Sequence, residues 1–471
     1  MEPESVSLPD EARVVNVGLP LFGQAVRAQG ADAVDVDWRI PAGGHAELVR
    51  ALEGLYGRWS ERIAIANTEV LRRIDAGRPQ LTGIATMRDV VPNVGDRTIL
   101  HCGPALDWSD FCDPLRRSVR AAVMAEGWAP NREAAETVVA AGGVQLEAAN
   151  DHATALPMAS AIGPSSPVFV VENAEGHNRA FSGINQGSGK VAWFGVDEPE
   201  AVERLVWLRD AAAPVLAAAL RSNGPLDVFS LVSQGLQMGD EVHMRVQATT
   251  NLLLRQLLPH LVRVQSPDLP AVAEFLSGAY LTYLNLVMAA AKAVTDWASG
   301  VPHSSIVTGM ARNGTTFGIR ISGIGERWFV CPAPRVGKAL YNPGFSDETS
   351  APDIGDSAVL ELVGLGSAAA AASPAVAGFV GGTMADAIAV TLRMDTICAG
   401  RSTRFTLPYL DFRGTPIGVD LRRIVELDTT PTVNTGILHR SAGTGQVGAG
   451  VAEAPIECFR EALLALDASM G

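Results

Sequence analysis

Apolar and polar positions follow three different rhythms along this chain. Residues 13–38 open with a β-branched run closed by glycine (RVVNVG). Leu21, Phe22, Ala25, Val26 and Ala28 then recur at helical spacing up to Gly30, and AVDVDW alternates as a second strand. This βαβ-like opening puts Asp35 and Asp37 where a Rossmann ribose acid sits. The glycine fingerprint is missing, since Gly23 is the next glycine after Gly18, so a Rossmann-like unit without a dinucleotide is expected. Residues 45–77 predict helix, TILHCG (98–103) a strand, 114–127 a helix with proline first and glycine last, and 131–147 a helix and a strand. PVFVVEN (167–173) and KVAWFGV (190–196) read as strands, and 200–224 as a helix interrupted at Pro214. Residues 226–300 are almost wholly helical by period. Beyond Pro302 short strands such as 315–324 and 327–333 alternate with glycine-rich turns. The pattern predicts a mixed α/β fold. Its expected parts are a Rossmann-like βαβ domain (1–100), an α+β region (101–225), a small helical domain (226–300) and a glycine-rich α+β domain (301–471).

With 47% hydrophobic and 19% charged residues, the chain can bury large cores. A net charge of −14 argues against nucleic acid or an anionic membrane as partner. Small anionic substrates stay open, because a local arginine cluster binds an anion on an acidic protein. The five cysteines are scattered without CxxC spacing, which predicts a reduced, cytoplasmic protein. The acidic, polar start MEPESVSLPDEAR does not read as a secretory signal. Phe275–Ala291 and Leu362–Ala385 are uncharged, but their polar and small residues predict buried core rather than membrane spans. No zinc spacing is present, and neither a metal nor another cofactor is expected.

Candidate chemistry gathers in a few strings. Asp240, Glu241, His243 and Arg245 fall within six residues, just before an apolar helix pattern. Adjacent carboxylates do not share a helix face, so a hydrogen-bond network at a helix start is expected rather than a metal site. Arg116 and Arg117 stand early in a helix, where cations oppose the macrodipole, so they serve either an anion or the nearby Asp110 and Asp113. Arg312, Asn313, Arg320 and Arg327 lie on consecutive strands and turns. NQGSGK (185–190) departs from a Walker A loop. It forms either a backbone nest with Asn185 and Lys190 or a turn with an exposed lysine, the pattern favouring the turn. GTGQVGAG (443–450) supports a ligand-facing loop and a plain turn between strands equally. Among the eight histidines, His152 and His243 sit in polar stretches.

Several of these strings also carry a resemblance. VVNVGLPLF (14–22), VDWRIPAGG (36–44), the CxPxR pattern at Cys112–Arg116, NQGSGK, QMGDEVHMR (237–245), VTGMARNGTTFGIRISG (307–323), DIGDSA (353–358), FVGGT (379–383) and NTGILH…GTGQVGAG (434–450) run nearly end to end in the order of the YlbE-like family. The chain is similar to that family, which is best known for a subunit of oxamate carbamoyltransferase in anaerobic allantoin breakdown. The resemblance implies a cytoplasmic subunit that works with sibling subunits, one of them like acyl-CoA synthetases. The activity implied is carbamoyl transfer between carbamoyl phosphate and a small amide such as oxamate. AANDH (148–152) and DEVHMR (240–245) depart from the family pattern and open the acceptor to other compounds. For this chemistry Arg116, Asn185, Lys190, Asn434, Gly443, Gly445 and Gln446 are assigned to substrate and its phosphate. Arg245, Arg312, Asn313 and Arg320 are assigned to substrate and the acceptor carboxylate. His243 or His152 is assigned as base, with Asp240 orienting it. The alternatives are a non-catalytic scaffold subunit and transfer to a different acceptor, with a homo-oligomer also open.

Overall fold

The computed structural model describes residues 13–36, 40–380, 382–441 and 443–471. Its pillar is the helix Thr282–Ala298, buried on almost every side. A helix apolar all round belongs in a core or a membrane. Here the strands Pro167–Asn173 and Asn178–Gly183, the helix Ser60–Ala76 and the short helix Val359–Leu362 cover it. The run Ala289–Ala291 and Ala293 lets these neighbours approach closely, and Lys292 ties its charge to Asp296 one turn on, at 2.6 Å. The preceding helix Leu269–Gly278 is bent 80° from it. Among the described residues no single helix is long and apolar enough to cross a membrane. The uncharged run Leu362–Ala385 is core only as far as Ser373, with Gly366–Ala372 fully buried, whereas Pro374, Ala375, Gly378, Gly382 and Ala385 are exposed.

One antiparallel sheet orders Asn178–Gly183, Pro167–Asn173, Pro79–Thr86 and Leu226–Asp227, taking strands from both sides of residue 100. Beside it, Thr98–His101 and Gln145–Ala148 pair in parallel. The helices Asp113–Ala125 and Arg132–Ala140 make the crossover that parallel strands require. In the C-terminal half, Phe329–Pro332, Thr316–Ile321, Val307–Asn313 and Ile354–Gly355 form a second antiparallel sheet. Val336–Tyr341, Gln446–Glu453 and Thr432–Leu438 form a third.

The opening is a parallel pair, Arg13–Val17 with Asp32–Val36, joined by the helix Pro20–Ala28. Asp35 is taken up locally: Asn16 and Arg27 donate to it at 2.7 and 2.6 Å, and their hydrogen bonds hold its carboxyl below the usual range. Asp37, Trp38 and the polar start before Arg13 lie outside the described residues. The helix expected across 200–224 widens to a π turn at Leu208–Ala212 just before Pro214, where the missing proline N–H breaks the ladder.

KVAWFGV is not a strand. Ala192–Phe194 is a single 3-10 turn, stopped by Gly195 at φ +75°. Trp193 and Phe194 stack at 4.8 Å. The Trp193 amide donates to Gln186 Oε1 at 2.9 Å, while its carbonyl accepts from Ala159 N at 3.1 Å. Alternating apolar residues read as a strand, but these main-chain groups are spent on loops. Similarly, Gly448 and Gly450 sit in the strand Gln446–Glu453, and only Gly443 and Gly445 belong to the turn before it.

The C-terminal half is tied together by one ion pair. Arg312 and Asp353 have no exposed side-chain surface and meet through two bonds of 2.8 and 3.0 Å. Arg312 Nη1 also donates to the Gly355 carbonyl at 2.6 Å, and Thr435 Oγ1 donates to Asp353 at 2.8 Å. Strands 307–313, 354–355 and 432–438 thus share one charge pair. Asp353→Ala would strand the guanidinium, at a cost of about 3–5 kcal/mol in denaturant unfolding. The double variant Arg312→Met, Asp353→Leu is expected to lose much less. Equal losses in the two proteins would show that the pair itself is not what matters.

Candidate functional site

Two glycine turns from distant parts of the chain meet in space. The first follows the strand Asn178–Gly183. Asn185, buried, donates to the Leu281 carbonyl and to Asn285 at 2.9 and 3.0 Å, and accepts from Gly187 N at 2.9 Å. Trp193 Nε1 donates to the Gly187 carbonyl at 3.0 Å. So held, the loop turns through Gly187 and Gly189 at φ +80° and +90°, a region open chiefly to glycine. The second turn ends the hairpin arm after Leu438, with Gly443 and Gly445 at φ +61° and +91°. A side chain at Gly445 would stand 3.9 Å from the Gly189 carbonyl and 3.8 Å from Phe194. One at Gly443 would stand 3.2 Å from Arg117 Nη1. The amides of Ser188, Gly189, Lys190, Gly443, Thr444 and Gly445 donate to no other described residue.

Arg117 flanks these amides. It is mostly buried and donates to Asp113 at 2.8 Å and Asp197 at 3.0 Å. Burial alone would lower its guanidinium, but the bonds and charges of the two aspartates raise it above the ordinary arginine value. Arg120 shares Asp197 at 2.7 Å. Lys190 is exposed and reaches Glu198 at 2.7 Å, which raises its ammonium. The amides left open on two positive-φ turns suit a small anion such as a phosphate, whereas the nearby cations are already paired, Arg117 with Asp113 and Asp197 and Lys190 with Glu198 and, at 3.8 Å, Glu200.

Arg116 is turned elsewhere. Its guanidinium donates to the carbonyls of Phe111, Trp108 and Ser109 at 3.1, 3.0 and 2.9 Å and lies over the Trp108 ring. Consecutive helical residues point about 100° apart, so its neighbour Arg117 faces the turns instead. The spacing of Asp113, Arg117 and Arg120 on one helix face carried that signal.

The DEVHMR residues form the helix-start network expected from their spacing. Asp240 accepts from Thr249 N, Thr249 Oγ1 and Ala248 N at 2.8, 3.1 and 3.2 Å, at the head of the helix Gln247–Leu261. Burial pushes its carboxyl up, against these bonds. Arg245 Nε stands 3.6 Å from it. Glu241, raised by burial, accepts from Arg245 N at 2.9 Å and Asn434 Nδ2 at 3.3 Å. His243 Nδ1 meets Glu361 at 2.8 Å, the two side chains 2% and 0% exposed. Asn434 Oδ1 accepts from Ser367 at 3.0 Å. His243, Asp240, Asn434 and Arg312 are therefore interior groups, sealed by packing. Asn313 builds the RNG turn, accepting from Thr315 N and Thr316 N and donating to the Pro104 carbonyl at 2.9 Å.

Arg320 pairs with Asp151 and lies 4.2 Å from the Trp328 ring centre. His152 has both ring nitrogens engaged, by the Pro92 carbonyl at 3.0 Å and Glu147 at 2.6 Å. Asp151 and His152 follow the carboxyl end of the strand Gln145–Ala148. Gln446 Nε2 donates to the Gly448 carbonyl at 3.1 Å, close to Gly436 and Met158. Among the described residues no three His, Cys, Asp or Glu side chains are placed to hold a metal ion.

Asp356 was not singled out by its sequence pattern, yet it joins three segments. One oxygen accepts from Gly103 N at 2.7 Å and the other from Leu156 N at 2.8 Å. Burial nevertheless pushes its carboxyl up to about 7, outweighing both amides and the Arg312 charge.

A family model described as oxamate carbamoyltransferase subunit AllG matches residues 144–357. The chain is 40% identical over 414 residues to Oxamate carbamoyltransferase subunit AllG of Escherichia coli (strain K12), covering 87% of this chain and 99% of that protein. It is 34% identical over 454 residues to the Uncharacterized protein YahG of the same organism, covering 96% of each. A crystal structure of a conserved protein of unknown function from Enterococcus faecalis V583 aligns with a TM-score of 0.86 at 36% identity. That alignment covers 88% of this chain and 99% of that one.

The Asp356 carboxyl sets a pH dependence. An unfolded aspartate releases its proton near pH ~4, whereas the folded one keeps it to about 7. Between those values the folded state binds more protons, so this group's contribution to stability falls as pH rises and levels off above 7. Asp356→Asn turns an acceptor into a donor facing a backbone amide and is expected to be less stable throughout. Its deficit in denaturation midpoint should shrink from about pH 5 to about pH 7.5. A deficit that grows over that range would contradict the shift.

Proposed function

The chain belongs to the AllG family, and on that premise we propose that it is a carbamoyl-transferring subunit of an oxamate carbamoyltransferase-like complex. It exchanges the carbamoyl group between carbamoyl phosphate and a small amide, in company with sibling subunits in the cytoplasm. The observation that carries this reading is the apposition of the two glycine turns beside Arg117. The amides of 188–190 and 443–445 receive the phosphate oxygens, and Arg117 and Lys190 exchange part of their carboxylate pairing for the anion. Those donors hold leaving-group charge as the carbamoyl C–O bond breaks.

The roles of the other candidates follow from their partners. Asn185 and Asn313 shape the turns that they anchor. Arg116 fixes the loop ahead of its own helix. His243 and Asp240, sealed in the interior, position the strand carrying Asn434 and the helix Gln247–Leu261 rather than touching substrate. A general base must reach the proton it takes, and neither His243 nor His152 has a free nitrogen at an open surface. Arg312 has no exposed surface through which to leave Asp353, and Arg320 pairs with Asp151 beside the Trp328 ring.

A scaffold role is a second reading, favoured by the opening unit. Val15, Val17 and Val34 are 66%, 57% and 64% exposed on one face of its parallel pair. Parallel strands are ordinarily covered on both faces, and a sibling subunit would supply that cover.

Arg117→Met tests the first reading. Arg120 remains to hold Asp197, and carbamoyl phosphate affinity measured by calorimetry should fall by about 10- to 100-fold. Arg116→Met should change it by less than about threefold. If both variants bind like the parent chain, the anion is not held here.

A further inference from the structure

An open groove with a volume of about 710 Å³ runs between the helices Pro199–Trp207 and Leu269–Gly278 and borders the first glycine turn at Gly187 and Ser188. Its floor is aromatic. Trp207 and Phe275, half-buried, meet edge to face with ring centres 5.2 Å apart. The Arg204 guanidinium lies over both rings, 5.6 and 5.2 Å from their centres. The turn rests on this floor, since a side chain at Gly187 would stand 3.0 Å from the Phe275 ring. The rim is acidic, with Glu200, Glu203 and Glu274 all exposed. Glu200 has Lys190 at 3.8 Å, and the other two have no ion-pair partner among the described residues. The anion-holding turns share this shortage of positive charge. Arg117 and Lys190 face four carboxylates, Asp113, Asp197, Glu198 and Glu200. Arg120, which shares Asp197, brings Glu136 with it. A phosphate dianion held by the amides therefore enters surroundings where the chain's own cations are outnumbered.

We propose that an arginine-bearing segment of a sibling subunit lies in this groove and carries one guanidinium to the anion beside Ser188, completing the site in trans. The inference rests on the carbamoyl-transfer reading above. Exposed carboxylates along a groove select a basic partner and speed its approach. Arginine suits the place better than lysine, because a planar guanidinium packs on aromatic rings and forks onto a carboxylate or a phosphate. Arg204 already shows the floor accepting such a group. A second copy of this chain is a poor occupant, since it would bring a net charge of −14 to an acidic groove. A guanidinium added at Ser188 also faces the oxygen that gains charge as the carbamoyl C–O bond breaks.

Tetra-arginine, acetylated and amidated at its ends, is the probe. It is titrated calorimetrically into the full chain at low ionic strength, and carbamoyl phosphate is titrated with and without it. Two double variants of equal net charge are compared with the parent. One is Glu203→Lys with Glu274→Lys in the groove, and the other is Glu47→Lys with Glu326→Lys at exposed positions elsewhere. The groove pair should weaken peptide binding at least about tenfold and the distant pair less than about threefold. Carbamoyl phosphate should bind at least about threefold tighter with peptide present, in the parent and the distant pair but not in the groove pair. Equal losses in the two variants would reduce the attraction to overall charge and overturn the proposal. Peptide binding that leaves carbamoyl phosphate unmoved would overturn it too. Carbamoyl phosphate binding to a chain that ignores the peptide would overturn this inference and leave the transfer reading standing. Failure of carbamoyl phosphate to bind with or without peptide would remove the transfer reading, and this inference with it.

Discussion

Three strands of the C-terminal half meet at a guanidinium that has no access to water. Burial alone would lower the Arg312 guanidinium, but Asp353 faces it with both oxygens and raises it, and the Gly355 carbonyl accepts a third N–H bond. A charge so enclosed tolerates little displacement of its partners, since each lost bond leaves a desolvated donor. The strand bearing Thr435, the short strand at 354–355 and the loop bearing Asp353 are therefore fixed relative to one another. From that fixed point Asp356 reaches back to Gly103 and Leu156, binding the N-terminal α+β region to the same frame.

The frame has a consequence for the glycine turns. Neither turn belongs to the element that carries the other. One is anchored through Asn185 to the head of the pillar helix, and the other closes a hairpin of the C-terminal sheet. Their approach depends on how the two regions dock, which the Arg312 and Asp356 contacts set. Gly355 and Gly103 serve the docking directly. At these positive-φ positions a side chain would lie within 2.6 Å of Met158 N or of the Arg312–Asn313 backbone.

Much of the architecture was legible in the chain. The parallel opening pair, the helix through 114–125, the strand at 167–173 and the long helical stretch follow from apolar period and punctuation, and the strand expected over 315–324 is present as Thr316–Ile321, giving way to a 3-10 turn at Ser322–Ile324. The buried character of the uncharged runs was legible for 282–291 and 362–373, where alanine, serine and glycine pack protein against protein, but not for 374–385, where Pro374, Ala375, Gly378, Gly382 and Ala385 are exposed. KVAWFGV misled because alternation records which side chains are buried, not where main-chain hydrogen bonds go, and here they go to Gln186 and Ala159. Arg116 and Arg117 could not be told apart without the helix phase against its neighbours.

The sequence by itself determined the mixed α/β class, the strings that mark the family, and the residue types for holding an anion: glycines free to take positive φ, a lysine and paired arginines. Local propensity and composition suffice for these, because they depend on neighbours in the chain. Only the tertiary structure decided which of those residues meet. It took Arg312, His243, Asp240 and Asn434 into the interior and brought Gly189, Gly445 and Arg117 together. Burial and electrostatic pairing are relations between segments hundreds of residues apart, and no local pattern encodes which carboxylate a given arginine will find.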